Sequence, residues 1–240
     1  MLEKIEGIVL RNIKYSDNSL IIHIYTRKLG RISCMVKKAR NKKTGFAPSF
    51  FQPFNILQVE IYYNPKKEIY PIKEVNLLNS FADLTTDSTR LAIRMFLTEI
   101  MNKCIRYQHT DEEMYEFLTQ SVVKFSEQNE SPANFHLYFM IELSRFLGFY
   151  PVNNYSKNEP IFDLLNASFV SEKMGSQTLS TELSFMLHQF LNLESGNWWE
   201  IPLNSTQRRQ LIDGLLNFYT IHTGSNMNLK SLEVFSEIFN

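Results

Sequence analysis

The hydrophobic pattern of this chain changes its period near residue 80. Before that point apolar residues recur at every second position, and in Leu20–Tyr25 the even and odd positions form two separate faces. A period of two is typical of β-strands. After that point residues such as Ala92, Phe96 and Ile100 recur at every fourth position, which is typical of amphipathic helices. The sequence therefore predicts an α+β fold with strands first and helices second.

Five short strands are predicted in the first 80 residues, separated by turns and one long basic loop. The strands are Ile5–Ile13, Leu20–Tyr25, Ile32–Val36, Phe54–Tyr63 and Glu68–Val75. The connecting segments Tyr15–Ser19 and Lys28–Gly30 carry the Ser, Asp, Asn and Gly residues that favour tight turns. Five strands of this length with one long connection predict a small β-barrel, closed or partly open.

Residues 81–240 are predicted to form a helical bundle, because several amphipathic stripes are wide enough to pack on one another. Between residues 152 and 177 the pattern is lost in a segment rich in Asn, Ser and Lys. This segment is expected to be an irregular insert with one short strand near Ala167–Val170. The predicted domains are a barrel of residues 1–80 and a helical domain of residues 81–240.

The zero net charge of the chain hides an asymmetry between these two parts. Residues 1–80 hold 14 Lys and Arg against 6 Asp and Glu, a net charge of +8, so residues 81–240 carry −8. Between Arg27 and Lys43 eight cations occur without one acidic residue: Arg27, Lys28, Arg31, Lys37, Lys38, Arg40, Lys42 and Lys43. Like charges this close favour binding of a polyanion. Nucleic acid fits better than a membrane, because no basic amphipathic helix accompanies the run.

Aromatic residues lie close to the basic residues in the sequence. Tyr15 precedes the basic run, and Tyr62 and Tyr63 adjoin a second basic pair, Lys66 and Lys67. Exposed tyrosines beside a basic groove can stack on the bases of a single strand. The alternatives are that these rings fill the barrel interior, which needs large residues, and that the basic run is a solvated loop.

The sequence gives no indication of catalysis, and neither enzyme activity nor a cofactor is expected. Phosphate-binding loops, dinucleotide fingerprints, nucleophile elbows and zinc-protease motifs are absent. Cys34 and Cys104 are too few for a four-thiolate zinc site and are expected to stay reduced. Because no stretch has the pattern of a signal peptide or a membrane span, a cytoplasmic protein is expected.

Several short segments, in a fixed order along the chain, carry a resemblance to a known family. They are Gly7–Leu10, Tyr15–Asp17, Ile24–Thr26, Gly30, Lys38–Arg40, Phe51–Pro53, Phe146–Pro151 and Leu229–Phe235. Together they resemble the RecO family of bacterial recombination mediators. The resemblance implies an N-terminal OB-fold, a C-terminal helical domain and a role in DNA repair and recombination.

The resemblance also implies partners and binding residues. Such proteins bind single- and double-stranded DNA, anneal complementary strands, act with RecR and help load RecA onto strands covered by single-stranded-DNA-binding protein, SSB. The family's DNA-binding surface falls on Lys37, Lys38, Arg40, Lys42 and Lys43. The SSB C-terminal tail is acidic, so its pocket needs cations within the helical domain. The candidates are Arg145, Arg208, Arg209 and Lys230.

The predicted insert departs from the family pattern. Many members carry a four-cysteine zinc site just after the stretch that matches Leu147–Gly148, whereas residues 152–177 contain no cysteine. We therefore expect no zinc in this segment. Apolar side chains are expected to hold it instead: Phe162, Leu164, Leu165 and Phe169.

The sequence is compatible with three functions. The first is a mediator that binds and anneals DNA, and the second is an adaptor that acts mainly by docking proteins. The third is an RNA-binding barrel, which would carry the same pattern of charge.

Overall fold

The computed structural model describes residues 1–37, 47–79, 87–106, 110–127, 129–172, 175, 177–193 and 196–232. The chain forms two compact units, Met1–Glu127 and Gln128–Asn240. The first unit contains the strands together with helices α1, Ser88–Cys104, and α2, Glu112–Glu127. These two helices follow the predicted boundary near residue 80 but belong to the compact unit of the barrel. No helix among the described residues is long and apolar enough to cross a membrane.

The strands of the first unit close into a barrel. They are β1, Leu2–Ser16; β2, Ser19–Thr26; β3, Gly30–Lys37; β4, Ile56–Tyr62; and β5, Ile69–Asn79. Their order around the barrel is β1-β2-β3-β5-β4. The pairing of β3 with β5 is parallel and the other pairings are antiparallel. The predicted α+β fold with a five-stranded OB-fold barrel is confirmed.

Strand β1 is longer than its sequence pattern indicates, because it pairs on both sides. Leu2–Ile8 pairs with β4, and Gly7–Ser16 pairs with β2. The turn predicted at Tyr15–Ser19 is therefore too long. Ser16 and Ser19 are paired in the ladder, and only Asp17 and Asn18 form the turn.

Gly7 lies where β1 passes from one partner strand to the other. A Cβ at this position would lie 2.9 Å from the carbonyl oxygen of Tyr25 and 2.9 Å from the Cγ2 of Thr26. Backbone atoms cannot move aside as a flexible side chain can, so a side chain at position 7 would push β1 away from β2. A glycine is required there for barrel closure.

The alternation predicted for the strands separates the barrel interior from its outer face. Ile22 and Ile24 are fully buried in the barrel core. Tyr25 belongs to the opposite face of β2 but is also buried. Helix α2 covers it: the Tyr115 ring lies 6.5 Å from the Tyr25 ring, and the Tyr25 hydroxyl donates to the Asp111 carbonyl oxygen over 3.4 Å.

The second unit is built mainly from helices. Its elements are α3, Phe135–Phe146; β6, Ile161–Asp163; β7, Ser168–Val170; α4, Thr181–Leu191; and α5, Ser205–Thr223. Helices α3 and α5 pack on each other, and the Tyr219 hydroxyl of α5 donates to the Met140 carbonyl oxygen of α3 over 2.6 Å. Two short 3₁₀ helices, Pro48–Phe51 in the first unit and Trp198–Glu200 in the second, complete the described elements.

Polar side chains hold the predicted insert together. The strand expected near Ala167–Val170 is β7, which forms a hairpin with β6. Asn154 donates to the Phe169 carbonyl oxygen over 2.9 Å and accepts from the Phe169 backbone N–H over 2.8 Å. The Asp163 carboxylate accepts from the backbone N–H groups of Leu165 and Asn166 in the hairpin turn.

The apolar packing predicted for the insert is correct for three of its four residues. Phe162, Leu164 and Phe169 are buried, and the rings of Phe162 and Phe169 are 5.1 Å apart. Leu165 is 58% exposed because it lies in the hairpin turn, where its side chain leaves the core. Among the described residues, no group of three or more His, Cys, Asp or Glu side chains is placed to hold a metal ion.

Candidate nucleic-acid interface

The barrel presents four exposed lysines of the predicted set in the described part of the chain: Lys28, Lys37, Lys66 and Lys67. Lys28 is in the turn between β2 and β3, and Lys37 ends β3. Among the described residues none of the four forms an ion pair with a carboxylate. Their charge is therefore available to an external anion.

The lysines lie at two ends of the barrel. Lys37 pairs with Ser19, next to the β1–β2 turn, whereas Lys28 lies at the other end of β3, about 23 Å away at about 3.3 Å per residue. Ser33 pairs with Ile69 in parallel, so the β4–β5 turn lies near the Lys28 end. Asn64 shapes that turn by accepting from the backbone N–H groups of Lys66 and Lys67.

Arg27 is not free for an external anion. Its Nη1 atom donates to a carboxylate oxygen of Glu112 over 2.7 Å and lies 3.3 Å from one of Glu116. Its guanidinium carbon lies 5.1 Å from the centre of the Tyr115 ring. Desolvation alone would lower the pKa of Arg27, but the hydrogen bond and ion pair with Glu112, together with the charge of Glu116, outweigh it and raise the pKa. These contacts join the β2–β3 turn to α2.

Arg31 also forms its hydrogen bonds within the protein. It is half-buried, and its Nη1 atom donates to the carbonyl oxygen of Asn102 over 3.1 Å and to that of Ile105. These carbonyl groups lie at the C-terminal end of α1, where backbone acceptors lack helical partners. The role of Arg31 in the described structure is therefore to cap α1 against β3.

Two of the three candidate stacking tyrosines are well exposed. Tyr15 is 66% exposed near the β1–β2 turn, and Tyr62 is 53% exposed at the end of β4. Tyr63 is partly buried and packs on the barrel core, with its ring 5.1 Å from that of Tyr70. Tyr15 lies at the Lys37 end of the barrel, and Tyr62 at the end of β4 that precedes the turn carrying Lys66 and Lys67.

Four of the predicted cations, Lys38, Arg40, Lys42 and Lys43, lie outside the described residues. They directly follow Lys37 in the sequence, and their role in binding stays a prediction.

The two cysteines are free, and burial raises the pKa of both thiols, to about 12 for Cys104. Thiols of this kind are unreactive at neutral pH.

The four cations predicted to bind an SSB tail do not form one cluster. Arg145 lies in the last turn of α3, where it pairs with Glu142 over 3.4 Å and stacks on Tyr150 at 3.8 Å. Arg208 of α5 is near His136. His136 lies nine residues before Arg145 on α3, which is about 14 Å along the helix at about 1.5 Å per residue. Arg208 is half-buried and donates to the Leu203 carbonyl oxygen over 2.5 Å, whereas Arg209 and Lys230 are exposed.

Three basic residues near one another on the outer face of the first unit were not expected from the sequence. Arg11, His23 and Arg106 come from β1, β2 and the segment after α1. Arg11 lies opposite His23 because the pairing of β1 with β2 shifts register between Val9 and Arg11, and the alternation of apolar residues does not indicate this shift. Arg106 is separated from them by more than 80 residues, so only the folded chain brings it to this face.

The order of the barrel strands and the helices that follow define an OB-fold protein with an appended helical part. The family model described as "Recombination protein O N terminal" matches residues 1–81, and the one described as "Recombination protein O C terminal" matches residues 85–233. The chain therefore belongs to the RecO family, and this membership supports a role in DNA repair and recombination.

Curated relatives match over whole chains. The chain is 32% identical over 243 residues to a protein named DNA repair protein RecO from Azobacteroides pseudotrichonymphae genomovar. CFP2, with 100% of both chains covered. A protein of the same name from Bacteroides fragilis is 33% identical, again with 100% of both chains covered. One from Flavobacterium psychrophilum is 30% identical, with 98% of both chains covered.

Proposed function

We propose that this protein is a non-enzymatic mediator of homologous recombination that acts in the cytoplasm. It binds single- and double-stranded DNA through the barrel, anneals complementary strands and, with RecR, assists loading of RecA on SSB-coated DNA. Family membership supports the pathway. The observation that carries the DNA-binding part is the set of exposed barrel lysines without carboxylate partners among the described residues.

The proposed mechanism is neutralisation of phosphate charge. Two complementary strands repel each other until cations lower the charge between them, and each phosphate bound by a lysine releases a condensed counterion. Lysines at both ends of the barrel can contact separate stretches of backbone. Tyr15 and Tyr62 provide exposed rings for unpaired bases, each worth about 1–3 kcal/mol when stacked.

The test is an annealing assay with complementary oligonucleotides coated with SSB. Annealing is monitored by fluorescence, with and without RecR. The protein is expected to accelerate annealing, and replacing Lys28, Lys37, Lys66 and Lys67 with alanine is expected to remove most of the acceleration. Unchanged annealing by that variant would show that the barrel lysines are not the site. Competition between DNA and RNA strands of one sequence decides whether the barrel binds DNA or RNA preferentially.

Protein docking is a second candidate function, and an exposed aromatic residue of the helical unit favours it. Phe185 on α4 is 46% exposed, and its ring centre lies 5.8 Å from that of Tyr155 and 6.3 Å from that of His188. An exposed aromatic group suits the apolar end of a peptide. Capture of an SSB-tail peptide should weaken in a Phe185→Ser variant, while DNA binding stays unchanged.

A further inference from the structure

A polar pocket lies on the outer face of strands β1 to β3. Arg11 pairs with His23, and His23 pairs with Ser33, so these side chains are neighbours on one side of the sheet. Arg31 precedes Ser33 by two residues and lies on the same side. The end of α1 and the segment after it cover part of this face. The pocket is lined by His23, Arg31, Ser33, Asn102 and Arg106 and has a volume of about 380 Å³.

Among the described residues, the cations of this pocket have no acidic partner: none of Arg11, Arg31 and Arg106 forms an ion pair with a carboxylate. Burial lowers the pKa of Arg31, and Arg11 and Arg106 lower it further. Burial also lowers the pKa of His23, with Arg31 and Arg11 acting in the same direction. Close cations without a counter-charge destabilise one another unless an anion binds between them.

The pocket also offers hydrogen-bond donors in fixed positions. Arg31 is held by the carbonyl oxygens at the end of α1, so its place in the pocket is set by the fold. Arg106 donates from Nε to the Lys103 carbonyl oxygen over 2.7 Å. Its two terminal amino groups form no hydrogen bond to another described residue. His23 Nδ1 and Ser33 Oγ are 2.9 Å apart and lie beside them.

We propose that this pocket binds a phosphate group of a nucleic-acid strand. The fork of an arginine matches two oxygens of one phosphate, and several cations around one site suit its charge. The outer face of β2 and β3 is also the face with which OB-folds bind oligonucleotides. A volume of 380 Å³ lies within the range of about 300–1,000 Å³ common for ligand sites, which leaves room for the attached sugar.

Inorganic phosphate tests the pocket alone. In NMR spectra of the full chain, phosphate is expected to shift the His23 ring and Arg106 Nε signals, whereas chloride at equal ionic strength is not. Absence of these shifts would overturn the proposal. This experiment does not depend on any role in recombination. Phosphate binding by the pocket is therefore tested separately from the proposed function.

DNA binding tests the nucleic-acid part, which rests on the proposed function. An Arg11→Ala/Arg106→Ala variant is expected to bind an oligonucleotide about tenfold more weakly, since it loses charge-assisted hydrogen bonds to phosphate. A Lys14→Ala/Lys73→Ala variant removes the same charge outside the pocket and should lose clearly less. If both variants lose affinity equally, the pocket does not bind phosphate of the strand, even where the wild-type protein binds DNA.

The source of the phosphate is decided by three oligonucleotides of one sequence, with a 5′-phosphate, a 3′-phosphate or neither. If the arginine variant loses affinity equally for all three, the pocket holds a backbone phosphodiester. If the loss is confined to one phosphorylated end, the pocket holds that terminal phosphate. Both results support the proposal, and no loss for any of the three contradicts it.

Discussion

Replacing Arg31 with alanine tests whether this cation stabilises the fold, in contrast to the exposed lysines that are proposed to bind DNA. The substitution removes charge-assisted hydrogen bonds to the carbonyl oxygens of Asn102 and Ile105. Each is worth about 1.5 kcal/mol here, the low end for charged donors, because the exposed carbonyl groups regain water. Arg11 and Arg106 repel the charge of Arg31, so loss of this repulsion offsets part of the cost. The net destabilisation of the end of α1 is therefore about 2 kcal/mol.

Hydrogen exchange of the Ile105 amide measures this change directly. That amide donates to the Met101 carbonyl oxygen over 2.8 Å at the end of α1. A loss of about 2 kcal/mol lowers its protection about 30-fold. Lys28→Ala, which removes an exposed charge of the same basic run, should leave the protection unchanged. Unchanged protection in Arg31→Ala, or an equal loss in Lys28→Ala, would refute the structural role of Arg31.

Three further predictions concern the stability of the two units. Burial lowers the pKa of His136 to about 3 in the folded protein, whereas in the unfolded chain a histidine has a pKa of about 6.5. Between pH 7 and pH 5 His136 therefore takes up a proton only in the unfolded chain, which should destabilise the helical unit by about 2 kcal/mol. Urea unfolding at both pH values should show this loss in the wild-type protein and a clearly smaller one in His136→Gln. Gly7→Ala should lower barrel stability by about 1–3 kcal/mol, measured as a lower urea midpoint, because its Cβ meets the Tyr25 carbonyl group. Asn154→Ala should increase hydrogen exchange of the Phe169 amide about tenfold, whereas Asn154→Asp, which keeps the acceptor, should increase it less.

The barrel could be predicted from the sequence because its signals are local. Alternation in β2 and β3 identifies the residues that face the core. The turn between these strands is Arg27–Leu29, one residue earlier than the predicted Lys28–Gly30, because Gly30 already pairs with Thr26 as the first residue of β3. The full length of β1 could not be predicted in this way. Its first half pairs with β4, and the register of that distant strand decides where β1 begins.

The candidate site was only partly predictable, because charge along a sequence does not show which cations the fold itself uses. Arg27 and Arg31 belong to the same basic run as Lys28 and Lys37. Their partners lie 71 to 89 residues later, in α1, α2 and the residues next to them. Side-chain length also contributes, since an arginine fork reaches backbone carbonyl groups in two directions, whereas the exposed lysines remain solvated.

The salt dependence of DNA binding tests the central claim most directly. For an oligonucleotide bound by the wild-type protein, the logarithm of affinity should fall linearly with the logarithm of salt concentration. Replacing Lys28, Lys37, Lys66 and Lys67 with alanine should reduce the slope by about 3, at about 0.7 per phosphate contact on a single strand. A control variant with Arg145, Lys157, Arg209 and Lys230 replaced by alanine should keep the wild-type slope. A wild-type slope near zero, or equal slopes for the two variants, would contradict binding of DNA by the barrel lysines.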